Sequence, residues 1–463
     1  MGSASLMLSV LLGSVLLMGS AVCHTTLFLI ELSLVGSTPP SRRLIAEDWF
    51  QNLTNDELTS VGVRQSYNMG KALASKFSSV FNPPPGRDEI FFRAVDTSAG
   101  IQAAHARAIG LWDSFPYVTI DFDREDARVR PPWVSFDLQS LRFSTPLPTG
   151  FAPISLFTVN KTEEYSLLAF NEYTCPAGYN NFSKIWIQLS DSVSKSQQFR
   201  NMISAAEASI GMSTPTATLD YCLSLFSYIS AQVQNTNTTS AHLEALRSCR
   251  ALWATAGLAD TQLAKTAGAN WATSLSSQLA SVLAGTNKQK YAHYSTDDER
   301  VLTGLLGAFG FVDPNCVKDR VLAGKTSEGC GILPVSGSSV LFELFKDTDG
   351  KHFVNMFFDM QQLIPCQGAT SCPVSTFSQL LSQKLDSSLC LDEKKPSPTP
   401  HNTETHRKSS TWRLLGIICL SLLCLQLVLT VYCCCHKLSS KSTEEERLDA
   451  SEYVQVDDVL SKN

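Results

Sequence analysis

Apolar positions along this chain change period several times, and the changes mark its elements. Leu27–Leu32 is a run of strand formers interrupted only by Glu31, and it passes into a Gly36-Ser37-Thr38-Pro39-Pro40 turn. That is the pattern of a buried strand handing a loop to the edge of a sheet. Asn52–Phe77 then shows helical spacing, with Thr59 as N-cap and Val63, Tyr67, Met69, Leu73 and Phe77 as the apolar positions. Asn82-Pro83-Pro84-Pro85-Gly86 ends it. Glu89–Arg93 reads as a second strand, and Asp96–Trp112 as the helix behind it. A β-loop-α-β-α opening predicts an α/β fold, a sheet layered with crossover helices.

Further on, Ser196–Leu283 is rich in Ala, Ser, Leu and Gln with long helical periodicity, so a mostly helical cap, bounded roughly by 120–285, is expected within the sheet domain. Lys290–Tyr294 returns to the sheet and Asp298–Phe311 is a helix. Val340–Leu344 and Phe353–Phe358 then pair across the turn Asp347-Thr348-Asp349-Gly350.

The two ends of the chain add compartment. Residues 1–22 have the apolar core and small-residue end of a secretory signal peptide, although no side-chain cation precedes the core. Residues 23–392 would form the ectodomain. Residues 393–412 are a hydrophilic linker too polar to fold alone, 413–435 an apolar segment long enough to span a bilayer, and 436–463 a short tail. The expectation is a single-pass type I protein of the plasma membrane or of endosomal or lysosomal membranes, its ectodomain lumenal or extracellular.

Between Cys23, at the boundary of the signal segment, and the linker lie eight cysteines: Cys175, Cys222, Cys249, Cys316, Cys330, Cys366, Cys372 and Cys390. An even set in an oxidising compartment predicts disulfides, with Cys366–Cys372 the natural local pair and the rest undecided. Sequons at Asn52, Asn160, Asn181 and Asn237 fall in the same region. On the far side of the span, Cys433, Cys434 and Cys435 are candidates for palmitoylation. Tyr453-Val454-Gln455-Val456 pairs a Tyr with an apolar anchor three residues on, a sorting-signal pattern that predicts binding to a cytosolic clathrin adaptor.

Bulk chemistry excludes more than it assigns. A net charge of -6 and the lack of a basic stripe argue against nucleic acid. Eight histidines with none paired at ligand spacing predict no metal, and no cofactor motif is present. A homodimer is left open.

Several separated motifs resemble the histidine acid phosphatases. Leu58-Thr59…Gly62…Gln65 resembles that family's first-helix signature, and Phe91-Phe92-Arg93…Asp96 its Ile-Arg-Ser-Thr-Asp strand end. Cys175-Pro176…Tyr179 resembles a Cys-Pro-x-Tyr segment, and Tyr294-Ser295-Thr296-Asp297-Asp298 a Tyr-Ser-Ala-His-Asp element. Phe342-Glu343-Leu344…Asp349-Gly350…Phe353-Val354 and Cys366…Cys372-Pro373…Phe377 resemble the closing hairpin and its cysteines. With its terminal segments the chain looks like the membrane-bound acid phosphatases of kinetoplastid protists. The resemblance implies a phosphoglycerate mutase-like, histidine phosphatase sandwich with a helical cap.

The same resemblance implies a site that this chain lacks. The family's Arg-His-Gly-x-Arg-x-Pro loop supplies a nucleophilic imidazole and a bidentate phosphate clamp. Here Ser33-Leu34-Val35-Gly36-Ser37-Thr38-Pro39, or the same stretch shifted by one, occupies that place, so Ser33, Leu34 and Ser37 are degenerate positions. Asp297 replaces the second His, while Arg93 and Asp298 remain. Arg93 is read as a structural ion pair with Asp96 or Asp298 in preference to a ligand contact, and Asp297–Arg300 as an exposed helix start. His105 and His293 are read as structural. Three functions follow as expectations: a catalytically inactive pseudophosphatase with a trafficking or ligand-binding role, an active acid phosphatase rebuilt from displaced groups, or a surface receptor using the former phosphate cleft.

Overall fold

In a computed structural model of the protein, residues 24–39, 57–82, 85–86, 88–112, 154–210, 217–232, 240–366 and 368–391 are described. The first strand, β1 (Thr25–Leu34), is longer than its apolar run. Helices α1 (Ser60–Lys76) and α2 (Ser78–Phe81) lead to β2 (Ile90–Val95) and α3 (Ser98–Leu111). After β3 (Leu156–Val159), helices α4 (Pro176–Lys195), α5 (Gln197–Ser209), α6 (Leu219–Gln232), α7 (Ser240–Thr255), α8 (Thr261–Thr266) and α9 (Ala269–Leu283) form the cap. Strand β4 (Tyr291–Thr296), α10 (Glu299–Ala308) and α11 (Pro314–Leu322) follow. The chain closes with β5 (Ser339–Lys346), β6 (His352–Phe358), β7 (Gln361–Leu363), β8 (Cys372–Pro373), α12 (Val374–Lys384) and α13 (Ser388–Leu391).

The strands form one mixed sheet in the order β3-β2-β4-β1-β5-β6-β7, with β8 on β6. β1 runs parallel to β4 and antiparallel to β5, and β2 runs parallel to both β4 and β3. The expected β5–β6 hairpin is antiparallel, pairing Leu344 with Val354.

Alternation along β1 divides two cores. Phe28, Ile30, Leu32 and Leu34 face the cap side with Trp271, Leu305 and Phe342, while Leu29 joins Phe92, Tyr291 and Phe357 under α1 and α3. Burying both faces is why β1 reads as a nearly continuous apolar run.

Two expectations about helices need correction. The inward face of α1 is Gly62, Ser66, Gly70 and Leu73, and Val63 points outward. For Gly70 the reason is proximity to α3, and for Gly62 it is the loop at Gly36 and Ser37. A Cβ on Gly70 would overlap the Arg107 carbonyl oxygen, and one on Gly110 the Tyr67 carbonyl oxygen. Small residues, which apolar periodicity ignores, therefore mark the contact face. The cap helices begin at Pro176 and not near Ser196, because the Pro and Ser/Asn content of α4's start masks a helix whose apolar stripe includes Phe182, Trp186, Leu189 and Val193.

Among the described residues four disulfides are formed. Cys366–Cys372 is the local pair that spacing predicts, and Cys175–Cys390, Cys222–Cys249 and Cys316–Cys330 are pairings that spacing left undecided. Among the described residues no helix is long and apolar enough to cross a membrane. The signal segment, the linker, the 413–435 span, Asn52, Asn237, Cys433–Cys435, Tyr453 and Val456 lie outside the described residues.

Candidate functional site

Parallel pairing brings three strand ends to one edge of the sheet. β1 ends at Leu34 opposite Thr296, and β2 at Val95 beside them, so residues 35–39, 96–97 and 297–298 leave from the same edge. Such carboxyl-end loops are where open α/β sheets place ligands.

The first loop is pinned tightly. Val35 N–H donates to the Thr296 carbonyl, and the Thr59 N–H and Oγ1 both donate to the Ser37 carbonyl at 2.9 and 3.1 Å. Ser37 N–H donates to Gln65 Oε1 at 3.0 Å, and the Thr59 hydroxyl caps α1 by accepting from Gly62 N–H. Gly36 must be glycine, because a Cβ would run into Gly62. The loop's side chains are committed to packing. Leu34 is 1% exposed in the cap-side core, and Val35 sits in a small apolar cluster with Leu58, Ala99 and Ala103. Ser33 and Ser37 are also buried.

Arg93 takes neither partner expected of it. Its Nη2 bonds both oxygens of Glu164, at 2.8 and 3.0 Å. Glu164 is fully buried, and its Oε1 also accepts from the N–H groups of Ser166 and Leu167. A carboxylate from the chain thus sits where Arg93 could meet an anion.

Asp298 is equally occupied. It caps α10, accepts from Ala169 N–H at 2.9 Å, and holds Arg300 Nε and Nη2 at 2.7 and 2.8 Å. Glu299 pairs with Arg250 of α7 at 2.6 Å. The start of α10 is therefore buried at Asp298 and Glu299, contrary to the exposed helix start that its charge run suggests. Burying them against partners is what a charge run cannot report. Asp297 is the member that solvent reaches. The chain crowded around it, and next the charge of Asp298, push its carboxyl up to about 6, with Lys161 and Arg300 acting in the other direction.

A buried imidazole lies on the α3 side of the sheet. His293 is on β4 with Tyr291 and points toward α3. Its Nδ1 is 3.1 Å from Glu31 Oε2 and its Nε2 is 3.4 Å from Ser33 Oγ. Tyr291 donates to Glu31 at 2.6 Å, and Arg107 Nη2 lies 3.5 Å from the other Glu31 oxygen. Burial alone would raise the Glu31 carboxyl, but the Arg107 charge and the His293 and Tyr291 contacts overcome it and pull it down to about 2. The same burial lowers His293. The Ser33–His293–Glu31 order has the connectivity of a nucleophile relay, yet every member is sealed in the interior, so no substrate reaches the hydroxyl.

Glu164 does not stand out in the sequence, and Arg300 does so only as the last residue of a charge run. Glu31, a lone carboxylate in an apolar strand, was the available signal for the buried network. Asn160 and Asn181 are exposed, the former with its side-chain oxygen accepting from Thr162 N–H and Oγ1. Among the described residues no cluster of His, Cys, Asp or Glu could hold a metal.

No family model and no curated protein matches the sequence. Solved structures do. Hafnia alvei phytase in complex with tartrate is 12% identical with a TM-score of 0.56, covering 80% of this chain and 99% of its own. Klebsiella sp. ASR1 phytase is 13% identical with a TM-score of 0.52, covering 79% and 96%. Bifidobacterium longum multiple inositol polyphosphate phosphatase with inositol hexasulfate is 11% identical with a TM-score of 0.50, covering 77% and 92%. At these identities the likeness speaks for architecture alone: the chain has the α/β fold of the histidine acid phosphatase-type phytases.

Proposed function

We propose that this protein is a pseudophosphatase of the histidine acid phosphatase family, a type I membrane glycoprotein of the endocytic system that traffics or binds a ligand without hydrolysing phosphomonoesters. The observation that carries the proposal is the Arg93–Glu164 pair, an anion clamp closed by a buried carboxylate of the same chain. The first loop supports it. With the family pattern shifted by one, its glycine falls on Gly36, where only glycine fits. Leu34, Val35 and Thr38 then stand for Arg, His and Arg, and two of them are packed in apolar clusters. Loss of a nucleophile alone costs on the order of 10^6 in turnover.

The test is turnover of an aryl phosphate and of inositol hexakisphosphate by the purified protein at acid pH. Background rates are expected with the wild type and with Glu164→Ala, which frees Arg93. Turnover abolished by Arg93→Ala would overturn the proposal in favour of a rebuilt phosphatase. For the trafficking half, Tyr453→Ala should trap the protein at the cell surface, and unchanged uptake would remove that claim.

A further inference from the structure

The first turn of α10 does more than end a strand-to-helix connection. Three consecutive residues each cross to the helical layer: Asp298 to the Ala169 N–H, Glu299 to Arg250, and Arg300 into a group of aromatic rings. The Arg300 guanidinium carbon lies 4.6 Å from the ring centres of both Phe182 and Trp253 and 5.4 Å from that of Phe170. Phe170 and Phe182 stack at 5.4 Å with an interplanar angle of 25°, and Trp253 meets Phe182 edge-on at 83°. Asp298 supplies the fourth wall with its two-point grip on the same guanidinium.

The rings come from three separate segments. Phe170 precedes α4, Phe182 belongs to α4, and Trp253 to α7, while the carboxylate comes from the sheet side. Gly257 makes room, since a Cβ there would press on Phe170 and Phe182. Faces of aromatic rings attract a cation, and a carboxylate fork selects a planar one with parallel N–H groups. A lysine ammonium satisfies neither requirement as well. The Arg300 side chain is 14% exposed and that of Asp298 3%, so water screens the pair little.

We propose that Phe170, Phe182, Trp253 and Asp298 form a guanidinium-binding site that the chain fills with its own Arg300, and that this internal ligand latches the helical layer to the sheet beside Arg93 and Asp297. Arg300 would occupy this site whether or not the protein turns over phosphate. The test reads binding and hydrogen exchange, not hydrolysis.

In the full-length chain, Arg300→Ala empties the site. Millimolar methylguanidinium should then raise the variant's thermal midpoint while methylammonium at the same concentration does not, and the wild type, already filled, should respond to neither. No response of the variant, or an equal response of the wild type, overturns the proposal. Where Arg300→Ala fails to fold, Arg300→Lys keeps it testable by hydrogen exchange. Residues 164–182 and 249–258 should exchange about tenfold faster while 291–296 and 340–346 stay unchanged. Uniform acceleration or no change counts against the latch.

Discussion

Asp297 at the sheet edge and Glu31 in the interior are carboxylates that behave oppositely, and their partners explain why. The chain packed around Asp297 and the charge of Asp298 outweigh the pull of Lys161 and Arg300, and its pKa rises to about 6. Its folded value lies above the unfolded one, so the folded state takes up the proton more readily, and stability increases as pH falls through 6 toward the unfolded value. Asp297→Asn should remove that part of the acid stabilisation, which thermal midpoints at pH 7.5 and pH 5 would show as a smaller difference than in the wild type. Glu31 is the reverse case, pulled down to about 2 against the cost of burial by Arg107, His293 and Tyr291. Its contribution is complete above the unfolded carboxyl value and is lost as pH falls toward 2. Glu31→Gln removes the carboxylate that pairs with the buried Arg107, and denaturant unfolding at neutral pH should register a loss of about 3–5 kcal/mol.

Helices α1 and α3 belong to the next scale, where backbone contact replaces side-chain contact. Gly62, Ser66 and Gly70 line one face of α1, and Gly110 answers from α3. The arrangement brings the two helices close enough to cover β1 and β4 with little apolar area of their own. Gly110→Ala would force its methyl against the Tyr67 carbonyl. A loss of about 1–3 kcal/mol in denaturant unfolding is expected, as for other overpacked contacts, whereas Val63→Ala on the outer face should change stability by less than about 0.5 kcal/mol. Apolar periodicity located α1 and its Thr59 cap from sequence, but one of the apolar positions it rested on, Val63, points outward. Hydropathy carries no record of a contact made by missing side chains.

Over the whole molecule, the Cys175–Cys390 disulfide joins the start of α4 to the last described helix across 215 residues. Long closed loops gain most from such a constraint. Replacing both cysteines by Ala should lower stability by roughly 2–5 kcal/mol. The thermal midpoint and limited proteolysis between α13 and the cap would report it. The pairing joins a helix that helical periodicity placed too late in the chain to a cysteine near its far end, so no spacing rule could propose it. The α/β layering, the β5–β6 hairpin and the local Cys366–Cys372 bridge were legible because each depends on residues near one another in sequence.

The amino-acid sequence by itself determined the opening β-loop-α-β-α order, the β5–β6 hairpin with its turn, and the absence of imidazole and guanidinium from residues 33–39. These depend on local backbone preference and on which side chains exist at all. Only the tertiary structure decided what holds Arg93, Asp298 and Glu31. Glu164 is 71 residues from Arg93, Ala169 is 129 from Asp298, and His293 is 262 from Glu31. A charge's partner is set by where the fold brings distant segments together, and in a low-dielectric interior that partner decides whether the group is available for chemistry or consumed in holding the fold.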